Sequence, residues 1–153
     1  MNTYQMFLSE ERVPYLKKGK RLPGKACRTP EDVWHLMDSV FCSSSLPEEH
    51  VWMLTMDAKC RVTGVFELAH GTVSSSLLSP REVFMRALLA GATAIAVVHN
   101  HPSLDVNPSE QDIKIAKKLY QAGKYIDITL VDFLIVGDGY YSFNEEDILK
   151  QFD

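Results

Sequence analysis

A chain of 153 residues with 46% apolar and 24% charged residues suits one globular domain with a hydrophobic core. It has no apolar run of about 18 residues, which excludes a helical membrane span, and its net charge of −4 argues against capture of nucleic acid by the chain as a whole. Three cysteines (Cys27, Cys42, Cys60), without C-x-x-C spacing, exclude a disulfide framework and a thiolate metal cage.

Residues 1–28 lack clear periodicity and hold Pro14, Gly19, Pro23 and Gly24. They read as a loosely structured, basic lead-in carrying Arg12, Lys17, Lys18, Lys20, Arg21, Lys25 and Arg28. The N-terminus has no charged region followed by an apolar stretch, so the expectation is a cytoplasmic protein without a secretory leader. A domain is expected over 29–153. Thr29-Pro30-Glu31-Asp32 opens its first helix, with Thr29 as N-cap, Pro30 at the first position and Asp32 bonding back. Val33, Leu36, Met37 and Val40 form that helix's apolar stripe.

Residues 50–56 and 61–69 read as a hairpin turning at Asp57–Cys60. Ser79-Pro80-Arg81-Glu82 is a second capping box, opening a helix to about Leu89 or Ala90. Residues 93–98 are continuously apolar and rich in β-branched side chains, the pattern of a strand buried on both faces. Ser109 starts a third helix, with Ile113, Ile115, Ala116 and Leu119 as apolar positions and Gly123 as its stop. A strand over 125–136, a turn at Gly137–Gly139, a return through Tyr140–Phe143 and a short closing helix complete the chain. The sum is a single α/β domain with a mixed central sheet flanked by helices.

The chemistry concentrates in residues 99–112. His99 and His101 leave the buried strand at i and i+2, so both imidazoles point to one side. The loop from Pro102 to Pro108 turns the chain, and the helix from Ser109 brings Asp112 round in its first turn. Two imidazoles and a carboxylate make three ligands, leaving a fourth position open as in a catalytic zinc site. Ser109 can cap the helix while its proton faces the site, where it would stabilise charge on a tetrahedral intermediate. A base is also required. Asp105, Glu110, Glu82 and Glu67 are the carboxylates considered. Glu67 ranks slightly ahead, because alternation with Val65 and Ala69 would place it among apolar neighbours that raise its pKa.

The set H-x-H-x7-S-x2-D with an upstream strand glutamate resembles the JAMM motif of the JAB/MPN metallopeptidase superfamily. The blocks Glu67-Leu-Ala-His-Gly71-Thr72, Ser79-Pro-Arg-Glu-Val-Phe84, His99-Asn-His-Pro-Ser103, Pro108-Ser109 and Asp132 resemble its bacterial RadC-like branch, over roughly 29–143. The resemblance implies a JAB/MPN fold, one Zn2+ on His99, His101 and Asp112, Glu67 as general base and Ser109 as oxyanion partner. It implies hydrolysis of a peptide or isopeptide bond. The branch also carries a DNA-repair label, so an accessory role on nucleic acid through the basic segment is the alternative. Leu104 stands where such loops usually have glycine, and Phe133 where a histidine commonly follows the aspartate.

Overall fold

A computed structural model describes residues 1–23, 27–71 and 78–153. Its first finding corrects the reading of the N-terminal segment. Asn2–Leu8 (β1) and Pro14–Arg21 (β2) form an antiparallel hairpin, and β1 then runs parallel to a later strand, pairing Asn2 with Gly64 and Thr3 with Val65. Tyr4 stacks on Phe66, with ring centroids 5.5 Å apart, which ties the hairpin to the core. β2 is a sheet edge, and its exposed Lys17, Lys18, Lys20 and Arg21 are the charges that keep an open edge from pairing with another chain. Lys25 and Thr72 lie outside the described residues.

The helix Pro30–Phe41 (α1) begins as expected. Thr29 Oγ1 accepts the Asp32 N–H at 3.1 Å, and the Asp32 carboxylate accepts the Thr29 N–H at 3.2 Å. The hairpin is His50–Met56 (β3) and Val62–His70 (β4). In Pro80–Leu89 (α2), Ser79 accepts the Glu82 N–H, but the Glu82 carboxylate turns to Arg81 and Arg86, so only half of that box forms. Ala94–Asn100 (β5) is buried throughout, as its composition required. Glu110–Tyr125 (α3) runs past Gly123. That glycine packs inside the helix, where a Cβ would lie 2.3 Å from the Ile128 carbonyl oxygen, and it is not a terminator. Ile113 is 38% exposed and lies off the buried stripe of Ile115, Ala116 and Leu119. Thr129–Gly137 (β6) and Gly139–Ser142 (β7) follow. The closing helix is reduced to a 3-10 turn at Leu149–Phe152.

The seven strands form one mixed sheet in the order β2-β1-β4-β3-β5-β6-β7. β5 is antiparallel to β3 and parallel to β6. Alternation along β5 divides the core. Ile95 and Val97 pack with Val83, Phe84 and Ala87 of α2 and with Ile115, Ala116 and Leu119 of α3. Ala94, Ala96 and Val98 pack on the other face with Val33, Leu36 and Met37 of α1. Each of these fully buried larger side chains contributes about 1.5–3 kcal/mol. This is a single α/β domain with three helices on a mixed sheet. No disulfide joins the cysteines. Among the described residues no helix is long and apolar enough to cross a membrane.

Candidate metal centre

β5 delivers His99 to the α3 side of the sheet, on the same face as Ile95 and Val97. The extended backbone persists one residue past β5, because the His101 N–H still donates to the Val136 carbonyl at 2.9 Å. The two imidazoles therefore converge, edge to face, with centroids 4.9 Å apart. Asp112 completes the group from the third position of α3, and one ligand atom of each residue lies within 4.8 Å of the others. The local reason is again a capping box. Ser109 Oγ accepts the Asp112 N–H at 3.2 Å, and Asp112 Oδ2 accepts the Ser109 N–H at 2.8 Å. Ser109 also donates its hydroxyl proton to Asp112 Oδ2 at 2.5 Å, so the capping role expected of this serine is present, while its proton rests on the carboxylate and does not face the open cleft.

Hydrogen bonds settle which ring atoms face the centre. His101 Nδ1–H donates to the Asp105 carbonyl at 2.7 Å, leaving Nε2 turned toward Asp112 Oδ2 at 3.5 Å. His99 places Nδ1 2.8 Å from Asp112 Oδ1. Its Nε2 is buried and has no hydrogen-bond partner. A buried nitrogen left bare costs about 1–3 kcal/mol unless something else binds it. With two imidazoles and a carboxylate around it, the donor set suits a zinc ion. Burial alone would push the Asp112 carboxyl upward, but bonds from His101, His99 and Ser109 outweigh it and hold the group well below the usual carboxylate range. The same Asp112 contact raises His101 above the ordinary imidazole value, against the opposing effect of burial.

Glu67, the carboxylate the sequence favours as a base, does not lie at the His99–His101–Asp112 group. Glu67 is on β4, half exposed, with Oε2 3.3 Å from His50 Nδ1. It does not line the cleft of about 720 Å³ that holds His99, His101, Ser109 and Asp112. The cause is the face of β4 on which it lies, and a β-bulge separates it from Ala69. Trp52 pairs with Glu67 but Val51 pairs with Ala69, so the register slips at Leu68. Val65 and Trp52 lie in the core on the α1 side, and Glu67 continues that face, whereas His99 opens on the other. Glu67 is thus neither desolvated nor beside the ligands. Asp105 contributes its carbonyl to His101, and its carboxylate binds Asn107. Glu110 is exposed and faces Lys114.

Glu49 lies beside the group instead. It lines the cleft, with Oε2 4.0 Å from His99 Nε2. Its segment is held on both sides. The Gly71 N–H donates to the Glu49 carbonyl at 2.9 Å. The buried Asn100 side chain accepts the His50 N–H at 2.6 Å and donates to the Glu48 carbonyl at 3.0 Å. The middle residue of His-x-His therefore ties the base-bearing segment to the ligand strand. Glu48-Glu49 reads in sequence as a solvated acidic pair before a strand. Only the pairing of β3 with β5, Val51 opposite His99, brings it to the centre.

Residues 27–148 match the RadC-like JAB domain. The chain belongs to this family. It is 42% identical over 138 residues to a UPF0758 protein of Thermotoga maritima, a match covering 86% of this chain and 61% of that protein. A UPF0758 protein of Clostridium acetobutylicum is 40% identical over 106 residues, covering 69% of this chain and 46% of that protein. One of Desulforudis audaxviator is 38% identical over 115 residues, with 75% and 49% covered. The chain thus spans about half the length of the curated relatives it matches. The JAB superfamily includes zinc hydrolases, and this RadC-like domain keeps a His-His-Asp group that can hold a metal ion.

Both departures from the expected RadC-like pattern have structural consequences. Leu104 sits at φ +66°, the left-handed region that glycine adopts freely. Phe133 is wholly buried and packs on Phe143 with ring centroids 5.1 Å apart, so a histidine's polar ring has been exchanged for core.

Proposed function

We propose that this RadC-like domain is a zinc-dependent hydrolase of peptide or isopeptide bonds, with His99, His101 and Asp112 holding the ion and Glu49, in place of Glu67, moving the proton. The observation that carries the reading is the buried, unpartnered His99 Nε2 facing both the cleft and the Glu49 carboxylate. A zinc ion held there would supply a Lewis acid that polarises a carbonyl and acidifies water.

The chain's own groups divide the remaining work. Glu49 accepts the proton of the attacking water as its oxygen adds to the amide carbonyl carbon, then returns a proton to the amine nitrogen as the C–N bond breaks. Ser109 donates its hydroxyl proton to Asp112 at rest, and turning that proton from the carboxylate to the developing oxyanion would let it stabilise the charge there. His101 is fixed by the Asp105 carbonyl, so the centre needs little rearrangement.

The test pairs metal analysis with two glutamate variants. Purified protein should retain a tightly bound zinc that is lost in His99→Ala. Against fluorogenic peptides and a lysine-isopeptide-linked tail, Glu49→Gln should lower kcat about 10²–10⁴-fold while retaining zinc. Glu67→Gln should leave the rate within a few fold. A zinc-loaded Glu49→Gln variant as fast as the wild type would refute the assignment.

A further inference from the structure

A second group of imidazoles and carboxylates lies beside the first, on the opposite face of the sheet. We infer that Glu48, His50 and His70 form a second divalent-cation site at the rim of the cleft, with Glu67 orienting His50. Like the first group, the three residues each bring one ligand atom within 4.8 Å of the others.

The site is built by strand pairing. His50 and His70 are directly opposed where β3 and β4 begin their ladder, so their side chains leave the sheet together. Their rings stack with centroids 4.0 Å apart, and Trp52 supports His50 from its other side at 5.2 Å. Glu48 Oε2 lies 2.5 Å from His70 Nε2. Glu67 takes His50 Nδ1 at 3.3 Å, which leaves His50 Nε2 as its ligand atom. A carboxylate on the far nitrogen of a ligating histidine is a frequent support in zinc sites. The backbone is fixed as well, since Asn100 holds the Glu48 carbonyl and the His50 N–H.

Two imidazoles and one carboxylate select zinc, copper or nickel over magnesium or calcium. The Glu48 and His70 side chains are 59% and 53% exposed, against 2% for Asp112, so this ion should bind more weakly and exchange faster than one at the buried centre. Glu48 and Glu49 are adjacent, and both border the cleft. An ion on Glu48 would therefore stiffen the segment that carries Glu49.

The experiment is equilibrium dialysis of metal-stripped protein against zinc chloride, with bound metal counted in the wild type, His70→Ala and His99→Ala. His70 is half exposed and outside the proposed hydrolytic machinery, and circular dichroism checks that its variant folds. Two ions in the wild type, with only the weaker lost in His70→Ala and only the tighter lost in His99→Ala, is the expected result. A single wild-type ion that His70→Ala removes and His99→Ala spares would support the rim site while refuting the buried centre. A single ion that His99→Ala removes and His70→Ala spares would overturn the rim site alone. Two ions retained in His70→Ala, or none in the wild type, would overturn it as well.

Discussion

Replacing Asn100 by alanine should separate metal holding from catalysis. The side chain is 1% exposed and makes two bonds, to the His50 N–H and the Glu48 carbonyl. Truncation leaves the His50 N–H without its acceptor in a buried residue, at about 1–3 kcal/mol. The Glu48 carbonyl lies in an exposed residue that water can reach, so its loss adds about 0.5–1.5 kcal/mol. Together these give about 1.5–4.5 kcal/mol, or about 3–18 °C in Tm for a chain of this length. None of the three ligands proposed for the buried centre changes, so the tightly bound zinc should be retained. Glu49 loses one of its two anchors, and a displacement of about 1 Å costs on the order of 10²-fold in rate. Asn100→Asp keeps an acceptor for His50 but not the donor to Glu48, and should fall between the two in stability. Urea denaturation, metal analysis and peptide hydrolysis on one preparation decide the matter. An Asn100→Ala protein with wild-type kcat and less than about 0.5 kcal/mol of lost stability would refute the role.

Gly137→Ala should be costly although its backbone conformation suits alanine. The new Cβ would lie 2.7 Å from the Leu104 carbonyl oxygen and 3.0 Å from its Cα, backbone atoms that cannot rotate away. Overpacking of this kind costs about 1–3 kcal/mol, and calorimetry should show Tm lowered by about 2–12 °C with weaker zinc retention, since the displaced loop carries the Asp105 carbonyl. Leu104→Gly should act oppositely: relief of about 1–2 kcal/mol of left-handed strain, less about 0.5–1 kcal/mol of added chain entropy, predicts a Tm raised by up to about 6 °C. Asp132→Asn tests a buried charge. Desolvation pushes the Asp132 carboxyl above its ordinary value of 3.8 despite bonds from Ser142, Asn144 and Phe133. A raised folded-state pKa means stability present below 3.8 that is lost as pH rises through the folded value. The asparagine variant lacks that loss, so urea titrations should show it gaining on the wild type as pH rises above 3.8, and a gap moving the other way would contradict the assignment.

The clustering of His99, His101 and Asp112 was legible because it is local. His99, His101, Ser109 and Asp112 lie on one strand end and one helix start, and strand alternation and a capping box fix their directions without reference to the rest of the chain. Thr29 and Asp32 were readable for the same reason. Glu49 was not, because it meets His99 only through the antiparallel pairing of β3 with β5, which no spacing reveals. Glu67 misled because it does alternate with Val65, but that face is the α1 side, and the bulge at Leu68 turns Ala69 alone to the side of His99. The N-terminal hairpin escaped notice because an edge strand rich in lysine carries little apolar period and pairs on only one side. Gly123 looked like a stop because helices often end at glycine, yet here it admits the Ile128 carbonyl.

Leu104 shows how the loop between the ligands is kept in place. A leucine at φ +66° persists only if its surroundings over-determine it. Three features do so. The Leu104 N–H donates to the His101 carbonyl at 2.9 Å, its own carbonyl accepts the Asp138 N–H at 3.1 Å, and Gly137 has no Cβ to hold the backbone off β6. The same turn brings the Asp105 carbonyl to His101 Nδ1 and so aims Nε2 at the centre. The strain in Leu104 and the bareness of Gly137 are thus two halves of one contact. Its effect is to orient a proposed metal ligand through backbone atoms alone. Relaxing Leu104 alone should therefore leave His101 in position, whereas crowding Gly137 should not.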